Sequence, residues 1–272
     1  MPRRSKANFI HRHKLIMHNI VGHDDANGNF RGGQNYHIIR RVYNKQKPLV
    51  LNYIRSNSPK AALKNLPTFF KTNIKPLWLP ALSIVWRNGA EEAENFIKDW
   101  HAVKKIAKAD YEDYADQFLA DNAGSKIDGI TDTDQQWLAN SIRSGVSEGK
   151  SNDEIASDLT DSFDNMSDGR AATITRTETA SAFNYASNET ATDLMPDGST
   201  KTWLTTSGNP RPTHEAVDGT EIGINEMFEV GDSEMSCPGD PAGDVSETVN
   251  CMCVLEYSYP SGTEEETSEE EE

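Results

Sequence analysis

Every thiol of this 272-residue chain lies within seventeen positions near its C-terminal end, at Cys237, Cys251 and Cys253. His214 sits shortly before them, while the other six histidines all fall before position 102. Gathering all cysteines near one isolated His points to a shared site. Three thiolates and one imidazole are a complete tetrahedral donor set for structural zinc. Zinc held by His214, Cys237, Cys251 and Cys253 is therefore one reading of this end. The other is three small buried cysteines packing a β-rich end, with His214 as a polar contact. The spacing departs from the common Cys-x2-Cys knuckle, because only Cys-x-Cys is present.

An odd cysteine count leaves one thiol over in any disulfide scheme. Cys251 and Cys253 would point the same way on a strand, which suits two ligands on one ion. A bridge between such near neighbours would be strained, so a disulfide would instead join Cys237 to one of them. The opening Met-Pro-Arg-Arg-Ser-Lys is followed by no apolar core. A reducing, cytoplasmic origin is expected, which favours thiols or metal over bridges. His214-Glu215 resembles the start of a His-Glu-x-x-His metalloprotease helix. The fifth position is Asp218, however, and Pro210, Pro212 and Gly219 leave little room for a helix. Three thiolates would also close the coordination sphere to water.

Charge divides the chain in two. Residues 1–75 hold fifteen Lys or Arg and two acids, whereas the remainder holds twelve basic and forty-one acidic side chains. A basic arm of this kind suits nucleic acid or an acidic protein surface. Its candidate contact residues are Arg3, Arg4, Lys6, Arg12, Lys14, Arg40, Arg41, Lys45 and Lys47. The glutamate-rich last residues repel one another and are expected to stay disordered. The longest apolar stretch, residues 76–86, holds two prolines and is too short to span a bilayer, so no membrane partner is expected.

Along the chain, residues 1–33 read as a basic flexible arm. Residues 34–129 read as a helical region. An amphipathic helix spans roughly 35–56, with Pro48 expected to kink or split it. A Pro-rich irregular connection covers 56–90. A long helix follows over 91–122, ended by Gly124. Further helices are expected over 131–149, from the capping box Ser151-Asn-Asp-Glu154, and from Ser167 to about residue 194. After the turn at residues 196–198 the texture changes to short strands near 201–206, 220–222, 227–230 and 251–257. The fold class is α+β, mainly helical: a helical platform with a small loop-rich β subdomain at its C-terminal end. That end looks too poor in apolar material to hold itself firmly, and a metal would supply what it lacks.

The second half contains, in order, Arg176-Thr-Glu178 in an Ala-rich helix, Trp203, Arg211-x-x-His214, Asp218-Gly219 and Phe228. Cys237-Pro-Gly-Asp-Pro241, Glu247 and Asn250-Cys-Met-Cys253 follow. This ordered set resembles the Mu protein F-like domain of phage head morphogenesis, or minor head, proteins. The resemblance covers roughly residues 130–257, leaving 258–272 as an acidic tail. Where that family often has Asn-Cys-Arg-Cys, this chain has Met252 between the thiols.

The resemblance implies a virion protein of a tailed bacteriophage rather than an enzyme. It would be made in the host cytoplasm and sit inside the head near the portal vertex. It would act in head assembly and DNA packaging, with a role in DNA ejection also open. The implied partners are the portal protein, then the major capsid or scaffolding protein, and packaged DNA through the basic arm. Arg176 and Glu178 would each orient a different loop of the β end, and Arg211 and Asp218 would pair across the His214 turn. Two further classes stand beside this reading: a toxin-associated or metal-dependent enzyme domain, and a non-specific DNA-binding module.

Overall fold

A computed structural model describes residues 5–25, 30–101, 108–206 and 208–260, without the side chains of residues 98–111. Eight helices and seven short strands lie in the described residues. The class is α+β and mainly helical, with its small antiparallel sheets concentrated after residue 200.

Helix α1 (Lys6–Ile20) begins at Ser5, whose hydroxyl accepts from Asn8 N. It buries Phe9, His13, Met17 and Ile20 along one stripe. A hairpin of β1 (Gly22–Asp24) and β2 (Phe30–Gly32) follows. The expected flexible arm is thus a packed helix and hairpin over its described part. The apolar residues at 9, 17 and 20, with His13 between them, carried that helix, masked by the intervening basic residues. Arg3 and Arg4 lie outside the described residues, as does the acidic tail beyond residue 260.

Helix α2 (Gln34–Arg55) runs unbroken through Pro48. Its apolar face, from Ile39 to Ile54, is anchored in the core on both sides of the proline, which holds the helix together across the lost hydrogen bond. The expected irregular connection is also largely helical. Helix α3 (Pro59–Phe69) starts at the Ser58 cap with Pro59 in its first turn, where proline costs no hydrogen bond. A π turn (Phe70–Ile74) and a 3-10 turn (Lys75–Leu77) lead into α4 (Trp78–His101). Three of the four prolines there sit at or near helix starts, so they punctuate rather than break.

Helix α5 (Lys108–Ser147) passes straight through Gly124 and Gly129. Neither glycine ends it, because Phe118, Ala123, Ile127, Ile130, Leu138 and Ile142 continue one buried stripe across both. Thr131 bonds back to Ile127 O at 2.8 Å inside the helix instead of capping a new one. After the Gly149 turn, the Ser151/Glu154 capping box opens α6 (Asn152–Leu194), a single helix of 43 residues where two were expected.

The core is one long seam with two ends. At one end α2, α3, α5 and the first halves of α4 and α6 pack around Trp78, Trp86, Phe118 and Phe163. At the other end Phe9 and Met17 of α1, Phe96 of α4 and Phe183 of α6 pack directly against the β end. That end comprises a sheet β4–β3–β7, with β3 (Thr200–Leu204), β4 (Glu221–Gly223) and β7 (Val254–Ser258). It also has the hairpin β5 (Phe228–Val230) with β6 (Ser233–Met235), and the short helices α7 (Pro212–Val217) and α8 (Val245–Thr248). The β end therefore borrows its apolar support from α1, α4 and α6.

The divided charge resolves inside the molecule. Arg40 reaches Asp168 at 2.7 Å and Lys47 reaches Asp164 at 2.8 Å, both on α6. Arg55 faces Asp153, Lys75 pairs with Asp128, and Lys6 lies 3.8 Å from Asp218. Five basic side chains of the N-terminal part thus meet acidic side chains of the remainder. No described helix is long and apolar enough to cross a membrane.

Candidate metal centre

Helix α7 places His214. Pro212 occupies its first turn, which is why a short helix forms where two prolines had argued against one. The ring of His214 is buried, edge-on to Trp203 at 5.5 Å between centroids. Its Nδ1 lies 3.3 Å from Cys253 Sγ and 3.7 Å from Cys251 Sγ. The three donor atoms all fall within 4.8 Å of one another. Tetrahedral zinc with ordinary Zn–S and Zn–N bonds would set such N···S edges at about 3.6 Å. The spacing is thus that of a ligand set, and the group can hold a metal ion.

Cys251 and Cys253 precede β7 rather than lying on it, so strand alternation is not what aligns their thiols. The alignment comes from the turn before them. Asn250 has φ +61°, a left-handed conformation that asparagine tolerates better than most residues. Its N–H donates to Thr177 Oγ1 at 2.8 Å. Thr206 Oγ1 donates to Met252 O at 2.5 Å, and Asn184 Nδ2 donates to Cys253 O at 2.9 Å. The thiols share their environment unequally. The hydrogen bond from Cys253 draws the Cys251 thiol down, with burial opposing and His214 assisting. The same contact, with burial, pushes Cys253 up. Two buried thiols beside one imidazole are a donor set suited to a soft cation.

Cys237 does not join this group. It is buried elsewhere, near Lys201, Asp240 and Glu189, and burial pushes its thiol up. The four-ligand expectation thus reduces to His214, Cys251 and Cys253. The closed sphere of three thiolates, an argument against open-site chemistry, goes with it. On the far side of the His214 ring, Nε2 lies 3.1 Å from Glu247 Oε2, within ion-pair reach though short of hydrogen-bond geometry. Glu247 is fixed by Thr213 Oγ1 at 2.7 Å. A carboxylate behind a ligating imidazole orients the ring and strengthens it as a donor.

Other sequence candidates take different roles from those expected. Arg211 does not pair with Asp218. It donates to the carbonyls of Glu247 and Val249, fixing the loop before the cysteines. Asp218 instead accepts from Thr205 N at 2.7 Å and faces Lys6. Gly219, at φ +79°, lets its N–H reach Trp203 O at 2.8 Å. Glu178 orients no β loop: it accepts from the Trp86 indole at 2.9 Å and pairs with Lys126 at 3.1 Å, joining α6 to α4 and α5. Arg176 stacks over Phe30 at 4.8 Å and approaches Asp24 at 3.9 Å, tying α6 to the β1–β2 hairpin.

The residues that seat the β end were not visible as candidates. Thr177, Ser181, Asn184 and Asn188 fall on one stripe of α6. They contact Asn250 N, Gly239 O, Cys253 O and the Lys201 ammonium respectively. Small polar residues at helical spacing between the alanines were the available signal.

Residues 136–256 match the family model described as phage Mu protein F like protein, so the chain carries a Mu F-like domain over that span. The chain is also 32% identical over 168 residues to the uncharacterized protein YqbB of Bacillus subtilis (strain 168). That alignment covers 59% of this chain, and the chain spans about half the length of that relative, 47%. No solved structure matches the chain.

Proposed function

We propose that this chain is a minor head protein of a tailed bacteriophage, associated with the portal and acting in head assembly and DNA packaging. The observation that carries it is the Mu F-like match, which takes in the end of α5, all of α6 and the β end as far as residue 256. A role in DNA ejection, contacts with capsid or scaffolding protein, and a place inside the head near the portal vertex belong to the same reading. Its work is to present a surface rather than to turn over a substrate. DNA contact would fall to exposed side chains such as Lys14, Arg41 and Lys45, since Arg40 and Lys47 are engaged by α6.

Zinc is the proposed metal, held by His214, Cys251 and Cys253. Two sulfurs and one imidazole are donors that suit it better than magnesium or calcium. Its role is to fix the loop 249–253 against α6. Co-expression with the portal protein of the same phage tests the assignment. Co-purification of the two is expected. Failure to associate, with both proteins folded, would leave the portal assignment without support.

A further inference from the structure

This inference rests on the zinc reading above and deepens it. With Cys237 held elsewhere, no fourth described His, Cys, Asp or Glu joins the donor group. Glu247 cannot complete the shell, because it lies on the Nε2 side of the ring, away from the sulfurs. The three donors instead line an open cleft of about 530 Å³ together with Arg176, Arg211 and Asp24. Zinc bound by two thiolates and a neutral imidazole carries no net charge. An anion arriving at its fourth position would therefore draw its electrostatic support from the two guanidinium groups, against the opposing charge of Asp24. Arg211 is locked by the carbonyls of Glu247 and Val249. Among the described residues Arg176 makes the long 3.9 Å approach to Asp24 and stacks on Phe30.

We infer that the centre holds its metal through three protein donors and leaves the fourth position exchangeable, to be taken by an anionic oxygen ligand. Carboxylate and phosphate share that chemistry. Arg176 is the residue that favours such a ligand over water.

Cobalt(II) loaded into the full chain provides the test, because its visible spectrum reports both thiolate number and exchange. Metal uptake is measured first. The expected result is one cobalt per chain with a two-thiolate spectrum, unchanged in Cys237→Ser. Acetate and inorganic phosphate, titrated separately, should each be scored for a shift in the ligand-field bands. At least one should shift them, and the responding anion identifies the oxygen donor preferred. Arg176→Gln should weaken that response about tenfold without altering metal content. Arg176→Lys should retain most of it. Bands indifferent to both anions would overturn the inference while leaving the zinc reading intact, whereas loss of the metal in a folded Cys237→Ser chain would overturn the three-donor set and the inference with it. A folded wild-type chain that takes up neither cobalt nor zinc would overturn both.

Discussion

Glu247 stands behind His214, its Oε2 3.1 Å from Nε2, on the opposite side of the ring from the sulfurs of Cys251 and Cys253. One short helix supplies the imidazole and another supplies the carboxylate that steadies it. Removing the carboxylate charge should weaken the metal without removing a ligand. Glu247→Gln is expected to reduce zinc affinity roughly 10- to 100-fold. Competition with a chromogenic chelator measures it. An affinity equal to wild type would mean that Glu247 does not act on the metal.

A chelator should act locally. The β end shares its core with α1, α4 and α6, so the helices do not need the metal to stay packed. Stripping zinc is expected to accelerate amide exchange over residues 205–219 and 249–253, with little change in α5 and α6. Uniform acceleration across the chain would show that the centre supports the whole fold.

His13 gives the fold an acid sensitivity. Its ring is fully buried between Phe96 and Phe183, and neither nitrogen has a partner among the described residues. Burial, aided by Lys14, lowers its pKa from 6.5 to about 3. The unfolded chain therefore takes up a proton near pH 6.5 that the folded chain refuses. Stability is full above that pH and is lost as pH falls, by about 1.4 kcal/mol per pH unit. Urea unfolding between pH 6.5 and 5, above most carboxylate titration, should show this slope. His13→Phe should flatten it. A slope unchanged in that variant would place the sensitivity elsewhere.

Asp134 is buried and accepts from Arg170 at 2.5 Å, Tyr43 at 3.2 Å and Gln46 at 3.4 Å. Burial raises its pKa even against the Arg170 charge. Arg170→Met would strand that carboxylate and is expected to cost about 3–5 kcal/mol at neutral pH. By contrast, removing Arg40, whose partner Asp168 is exposed, should cost less than about 1 kcal/mol. Chemical denaturation of the two variants decides the order.

The platform was readable wherever an apolar stripe was long and its caps were local. The Ser151–Glu154 capping box and the helical spacing around Phe96 and Phe118 gave the right class. The same rules misplaced the breaks. Gly124, Gly129 and Pro48 carry helix-ending propensities of only a few kcal/mol, and continuous burial on both sides of each outweighs them. The basic residues of α1 hid Phe9 and Met17, whose partners, Phe96 and Phe183, lie far away in sequence. In the centre, His214, Cys251 and Cys253 were legible because residue type alone restricts their chemistry. Cys237 shares that type, and only the path of the chain past Lys201 separates it from them. Glu247 and Asn184 carried no signal of their roles, since a glutamate or an asparagine near a ligand loop is ordinary in sequence.

Quantitative mass spectrometry of purified phage particles, before and after triggered DNA release, decides whether the chain is a minor head protein. A minor head protein is expected at low copy number in intact particles, alongside the portal protein. Its absence from virions, while the phage genome expresses it, would contradict a minor head protein and point to an activity outside the particle.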